Sequence, residues 1–226
     1  MLIGKKISKL QKLFMKNLTE YKVILWDFDG VIMDSMPIRD KGFTEVLKSF
    51  PSHEVDELVA YHQENGGLSR YVKFRYFFEK IRSEEITEEK ILELSAQFSK
   101  IMLSLLIDSN LLIEDSCNFI KNNYSNYEMH IVSGSDGKEL RLICDTLGLS
   151  PFFKSINGSP TPKNDLVRQV LADSNYDRQR TVLIGDSKND YDAALINGID
   201  FIGYNNTSLK DLSKSYITSF LLKEKI

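Results

Sequence analysis

Apolar residues along this chain follow two alternating rhythms. Short unbroken runs, Val23-Ile24-Leu25-Trp26 and Val182-Leu183-Ile184 among them, are bounded by polar or turn-forming residues, as strands buried on both faces are. Elsewhere apolar positions recur three and four apart, the mark of one helix face. Strands are predicted at 22–28, around His130, at 154–157, 181–184 and 200–203. Helices are predicted at 115–122, 136–147, 163–174 and 190–197, the last closed by Gly198 as a left-handed cap. Strand and helix in alternation imply an α/β fold, a doubly wound parallel sheet with its ligand crevice at the strands' carboxyl ends.

Between Phe43 and Asp108 the rhythm is helical only. Phe43, Val46, Leu47 and Phe50 form one stripe, Val55, Leu58, Val59 and His62 a second, Tyr71, Phe74, Phe77, Phe78 and Ile81 a third, and Ile91, Leu94, Phe98, Ile101, Met102 and Leu105 a fourth. A module of about four helices, residues 35–108, is therefore inserted into a core made of 1–34 and 109–226. Residues 1–19 carry a further stripe, Leu2 to Leu18, interrupted by lysines. Those interruptions exclude a signal peptide's apolar centre. A membrane-surface helix fits the stripe, but packing on the core or on a partner chain explains it with less. The tail from Leu209 to Ile226 is expected to add a short strand or helix to the core.

Composition narrows the function classes. Across 226 residues the net charge is −3, so nothing electrostatic points to nucleic acid. No apolar stretch is long enough to span a bilayer. Cys117 and Cys144 fit neither a metal pattern nor a disulfide framework, which suits a reducing cytoplasm. Monomer and homodimer both remain open.

The chemistry sits at the strand ends. The first run ends in Asp27-Phe28-Asp29-Gly30. Side chains alternate along a strand, so Asp27 and Asp29 share a face while the strand stays regular. Two carboxylates that close call for a metal ion or a shared proton, and Gly30 lets the backbone turn and approach a ligand. Thr181 to Ile184 ends in Gly185-Asp186-Ser187-Lys188-Asn189-Asp190, whose Asp186 and Asp190 lie four apart, near one face of a starting helix. His130-Ile131-Val132 leads to Ser133-Gly134. Lys163 follows the rigid Pro160-Thr161-Pro162 turn.

In this order, DxDGV, Ser, Lys and GDSxxD, the chain resembles the haloacid dehalogenase-like superfamily over roughly residues 21–205. Asp27 to Ser35 is most similar to its branch of phosphoglycolate phosphatases and β-phosphoglucomutases. The resemblance implies that Asp27 is a nucleophile forming a phospho-aspartate, and that Asp29 is the general acid and base. It implies Mg²⁺ held by Asp27, the Asp29 carbonyl and Asp186, with Asp190 acting through water or orienting Lys163. Ser133, the Gly134 amide and the Gly30 turn would receive phosphate, and Lys163 would offset charge. The inserted helices would be the α-helical cap that reads the leaving group of a small phosphate ester, a sugar phosphate or phosphoglycolate.

Asn65-Gly66-Gly67-Leu68-Ser69-Arg70-Tyr71-Val72-Lys73-Phe74-Arg75, with three spaced cations, is similar to that branch's cap loop. It fits two readings: an anion-reading loop carrying Arg70 and Lys73, or a helix start capped by Ser69 with solvated cations. Arg39 stands where β-phosphoglucomutases carry histidine, Asp136 lies near the place of their phosphate-binding lysine, and motif four opens Gly-Asp where theirs opens Glu-Asp. These departures favour hydrolysis over phosphotransfer, the alternative on this fold, and leave Arg39 free to contact an anionic substrate. A non-catalytic phosphate-binding protein is the weaker remaining reading, because every motif residue is present.

Overall fold

The computed structural model describes residues 18–213 and 215–220. Almost all of the expected N-terminal helix lies outside the described residues; of its apolar stripe only Leu18 falls within them, and it is fully buried. Six strands form one parallel sheet: β1 (Val23–Trp26), β2 (Glu128–Asp136), β3 (Ser155–Ser159), β4 (Thr181–Gly185), β5 (Asp200–Tyr204) and β6 (Ser215–Ile217), in the order β3-β2-β1-β4-β5-β6. Val23 to Trp26 pairs with β2 on one side and β4 on the other, which makes β1 central. Alternate residues of β1 enter different cores. Ile24 and Trp26 join a cluster with Phe119, Ile131 and Val182, whereas Val23 and Leu25 join one with Val167, Leu171 and Leu183. Both faces are therefore covered by helices, as a parallel sheet requires.

Helices α1 (Met36–Val46), α2 (Ser52–Glu64), α3 (Arg70–Tyr76) and α4 (Glu88–Leu106) intervene between β1 and α5 (Glu114–Asn123). They enclose their own aromatic centre: Phe43 lies 4.6 Å from Phe98 and 5.4 Å from Phe74. A Cβ on Gly42 would stand 2.5 Å from the Met102 methyl and 2.8 Å from the Phe98 ring, so α1 and α4 cross closely there. The third stripe does not keep one helical period. α3 passes into a π-turn at Phe77–Ile81, which lets the consecutive Phe77 and Phe78 both pack edge-on against Phe50.

The remaining helices are α6 (Gly137–Thr146), α7 (Lys163–Asp173) and α8 (Lys188–Asn197). Gly198 closes α8 at φ 65°, as its position predicts. The tail supplies strand β6 at the sheet edge. β1 is shorter than expected: it stops at Trp26, and the Phe28 carbonyl then accepts from the Ile32 and Met33 amides, closing a tight turn around Gly30. The sheet switches direction between β1 and β4, so their carboxyl ends open the crevice where ligands bind in such folds.

Candidate active site

Four segments deliver polar side chains to that crevice. Asp27 follows β1, Asp186 follows β4, and Asp190 and Lys163 stand in the first turns of α8 and α7. Lys163 Nζ donates to Asp27 Oδ1 at 2.8 Å and also to Asp190 Oδ1. Asp190 serves two purposes, because it also forms the capping box of α8 with Ser187. Carboxylate oxygens of Asp27, Asp186 and Asp190 lie within 4.8 Å of one another. Burial, followed by repulsion from Asp190, raises Asp27 well above the usual carboxylate range and pushes Asp186 up to about 7. Burial opposes the charge on Lys163, but Asp190 and Asp27 outweigh it and hold the lysine firmly protonated. One lysine among three carboxylates, two of them buried, leaves a negative, all-oxygen site, which is the donor set a hard dication takes.

Backbone proximity explains two motif glycines. Gly30 has φ 74°, and a Cβ there would lie 2.0 Å from Asp186 Oδ2. A Cβ on Gly185 would lie 2.4 Å from Asp190. Gly30 thus brings β1's turn against Asp186.

Asp29 has a separate set of partners. Because β1 ends at Trp26, the alternation argument does not reach it, and among the described residues it shares no hydrogen-bond partner with Asp27. Its Oδ1 accepts from Arg39 Nε at 2.6 Å and from the Ser35 hydroxyl, and its Oδ2 accepts from Ser135 Oγ at 2.5 Å. Burial alone would raise this carboxyl, but Arg39 and the two serines hold it below the usual carboxylate range. Among the described residues no backbone amide donates to the Asp29 carbonyl, so that atom is available for the ligand role the motif implies. Ser133 turns its hydroxyl back toward the end of β2, accepting from the Ser135 amide at 3.1 Å.

The cap-loop segment departs from the solvated-cation reading in part. Ser69 caps α3 by accepting from the Val72 amide. Meanwhile Gly66 and Gly67 lie over the crevice, where with Asp27, Asp29, Gly134 and Asp186 they line a cavity of about 130 Å³. Arg70 and Lys73 are buried rather than solvated. A smaller cavity of about 20 Å³ adjoins Asp29, bordered by Arg39, Arg70 and Lys73. Arg70 packs 4.5 Å over the Phe98 ring and hydrogen-bonds Ser99. Lys73 Nζ lies 2.7 Å from His62 Nδ1, and burial followed by Arg39 lowers its pKa to about 7.

Arg39 is not free, as its sequence position suggested. Besides Asp29 it contacts Glu139 at 3.3 Å, and the same glutamate contacts Arg70 at 2.7 Å. The competing attraction of two buried carboxylates, one of them 100 residues away in the chain, is the physical reason. Glu139, Ser35, Ser135 and Asn206, whose Nδ2 donates to the Asp186 carbonyl at 2.7 Å, escaped the sequence reading. Ser135 alone had a usable signal, since it stands two residues past Ser133 on the same strand face.

A family model of haloacid dehalogenase-like hydrolases matches residues 24–204. A phosphoglycolate phosphatase of Colwellia psychrerythraea is 24% identical over 195 residues, covering 82% of this chain and 85% of its own length. A β-phosphoglucomutase from Clostridium difficile superposes with TM-score 0.71 at 17% identity, over 90% of this chain and 93% of that one. The HAD-hydrolase YfnB from Bacillus subtilis, solved bound to magnesium and with interdomain movement, superposes with TM-score 0.66 at 18% identity, over 88% of this chain and 95% of that one.

Proposed function

The chain belongs to the haloacid dehalogenase-like hydrolases, and from that membership and the site's geometry we propose a Mg²⁺-dependent phosphatase of a small phosphorylated metabolite, working through a phospho-aspartate on Asp27. The observation that carries this reading is the buried Asp27 at the carboxyl end of β1, held at 2.8 Å by Lys163 and within 4.8 Å of Asp186 and Asp190. These residues fit a magnesium ion: Asp27, Asp186 and the Asp29 carbonyl would hold it, with Asp190 behind them. When bound, the ion neutralises the carboxylates and lowers the repulsion between Asp27 and an incoming phosphate.

Asp27 then forms the new oxygen–phosphorus bond, and the ester oxygen leaves with the electron pair of the broken one. Asp29, once it has taken a proton from solvent, gives that proton to the oxygen, and in the second half takes one from the water that displaces Asp27 from phosphorus. Lys163 balances charge on Asp27 throughout. The Gly134 amide, and the Ser133 hydroxyl once it leaves the Ser135 amide, would receive the phosphoryl oxygens. Helices α1 to α4 act as the cap, and the Gly66-Gly67 loop over Asp27 and Asp186 excludes water and positions the ester.

The relative named as a phosphoglycolate phosphatase supports a small anionic metabolite as substrate. The phosphotransferase reading draws on the buried cations Arg39, Arg70 and Lys73, which would anchor a second phosphate. Release of inorganic phosphate from a panel of phosphorylated metabolites, with and without Mg²⁺, tests the proposal. Mg²⁺-dependent turnover lost in Asp27→Asn is expected. Isomerised product from a sugar bisphosphate, without net phosphate release, would replace phosphatase by mutase.

A further inference from the structure

In this closed arrangement the proposed acid is locked. Both carboxylate oxygens of Asp29 are engaged, by Ser35 and Arg39 on one and Ser135 on the other. Ser35 and Ser135 are neutral hydroxyls that can rotate away, whereas Arg39 is a charged partner fixed at its other end by Glu139 at 3.3 Å. Something must draw Arg39 off Asp29 before a proton can move.

The attractor's chemistry can be read from the small cavity beside Asp29. Arg39 and Arg70 both border it, both are at least nine-tenths buried, and each has an Nη2 with no hydrogen-bond partner among the described residues. Buried guanidinium donors left open cost free energy unless something accepts from them. Glu139 touches Arg39 and Arg70 together, and so keeps the two open donors at one place. At about 20 Å³ the space admits only a small group, and a carboxylate is the smaller of the anions that guanidinium forks bind.

We propose that Arg39 is a specificity switch: a carboxylate on the leaving group, received by Arg39 and Arg70 over the Glu139 anchor, exchanges with Asp29 for Arg39 and thereby frees the acid. Esters lacking that carboxylate leave Arg39 on Asp29 and turn over slowly even when bound. Glu139 is then a positioning residue and Arg39 the element that decides which ester is hydrolysed. The idea rests on the phosphatase reading above, because it gives Asp29 a proton to deliver.

The test compares 2-phosphoglycolate with ethyl phosphate, which matches it except for the carboxylate, using the full chain with Mg²⁺. Sodium acetate supplied separately should fill the switch, so wild-type kcat on ethyl phosphate should rise about fivefold or more, with saturation. Arg39→Gln should abolish that stimulation and raise kcat on ethyl phosphate without acetate. The same variant should lower kcat/KM for 2-phosphoglycolate about tenfold or more. Glu139→Gln should raise KM for 2-phosphoglycolate more than it lowers kcat. Wild-type turnover of ethyl phosphate indifferent to acetate would overturn the switch, as would an Arg39→Gln protein that loses activity on both esters in parallel. The acetate titration uses wild-type protein alone, so it decides the matter even where Arg39→Gln fails to fold. Absence of Mg²⁺-dependent release from every ester, p-nitrophenyl phosphate included, would instead overturn the phosphatase reading and the switch with it.

Discussion

The Gly67 carbonyl accepts a hydrogen bond from Asn189 Nδ2 at 2.8 Å, joining the helical insertion to the first turn of α8 directly over the acidic cluster. The same carbonyl faces Gly134, where a Cβ would lie 2.4 Å from it. Closure therefore depends on the absence of one methyl group at residue 134. Gly134→Ala should keep its fold, because the loop can lift, but should lose the closed state. We expect kcat/KM to fall about tenfold or more on any accepted phosphate ester. Thermal unfolding should stay within a few degrees of wild type. Steady-state kinetics beside calorimetry check this, and a wild-type kcat/KM would show that the loop does not close in turnover.

Lys163 is the cation that contacts both Asp27 and Asp190. Removing one partner from a buried ionic cluster leaves charge uncompensated and costs on the order of 3–5 kcal/mol. Lys163→Met should therefore be strongly destabilised in EDTA. Mg²⁺ should restore part of that loss, because a dication replaces the missing charge at the same carboxylates. Urea unfolding with and without Mg²⁺ measures both quantities. Equal loss in the two conditions would separate Lys163 from the metal site.

How far such relationships could be read beforehand depended on sequence distance. The strand runs, the helical stripes and the order of motif residues are local patterns, and Asp27, Lys163, Asp186 and Asp190 do converge as that order implied. Asp29 shows where local reasoning stopped. Period-two alternation holds only while the strand lasts, and β1 ends before it. Glu139 looked like an ordinary acidic residue in the first turn of a helix, which the helix dipole alone would favour. Its partners Arg39 and Arg70 come from another part of the chain, and no spacing rule announces a contact across 100 residues. Arg75 followed the solvated reading of its segment, pairing with Glu79 at the surface, whereas Arg70 and Lys73 turned inward.

Lys73 offers a pH test away from the acidic cluster. It is buried against His62 and the Gly66 carbonyl, with its pKa lowered from 10.5 to about 7. Between those values the unfolded chain holds a proton that the folded lysine has released, so the stability Lys73 contributes rises with pH from about 7 to about 10.5. Below 7 the lysine is charged in both states and its burial penalty is fully present. Lys73→Met removes this dependence. The stability of wild type minus that of the variant should climb from pH 7 to 10, by at most about 1.4 kcal/mol per pH unit. Urea unfolding of both proteins at pH 6, 8 and 10 measures it. A flat difference would mean that the Lys73 ammonium stays charged in the folded protein.

Asp186 predicts the opposite sign in the metal-free protein. Burial and the nearby Asp190 push its carboxyl up to about 7 from 3.8. Between those values the folded state keeps a proton that the unfolded chain has lost, so stability in EDTA should fall as pH rises toward 7. Mg²⁺ takes only the deprotonated carboxylate, so binding at pH 6 must expel that proton, and apparent affinity must increase as pH rises through 7. Above pH 8 both effects should level off, because the carboxylate is then already free. Titration calorimetry in two buffers of different ionisation enthalpy counts the protons released. Asp186 as a ligand is expected to contribute about one proton per ion at pH 6, declining toward none at pH 8.5, in addition to any that Asp27 releases. The Asp186→Asn protein should bind the ion more weakly and release fewer protons. No proton release from wild type at pH 6 would place the ion away from Asp186, and the cluster of three convergent carboxylates would then need another explanation.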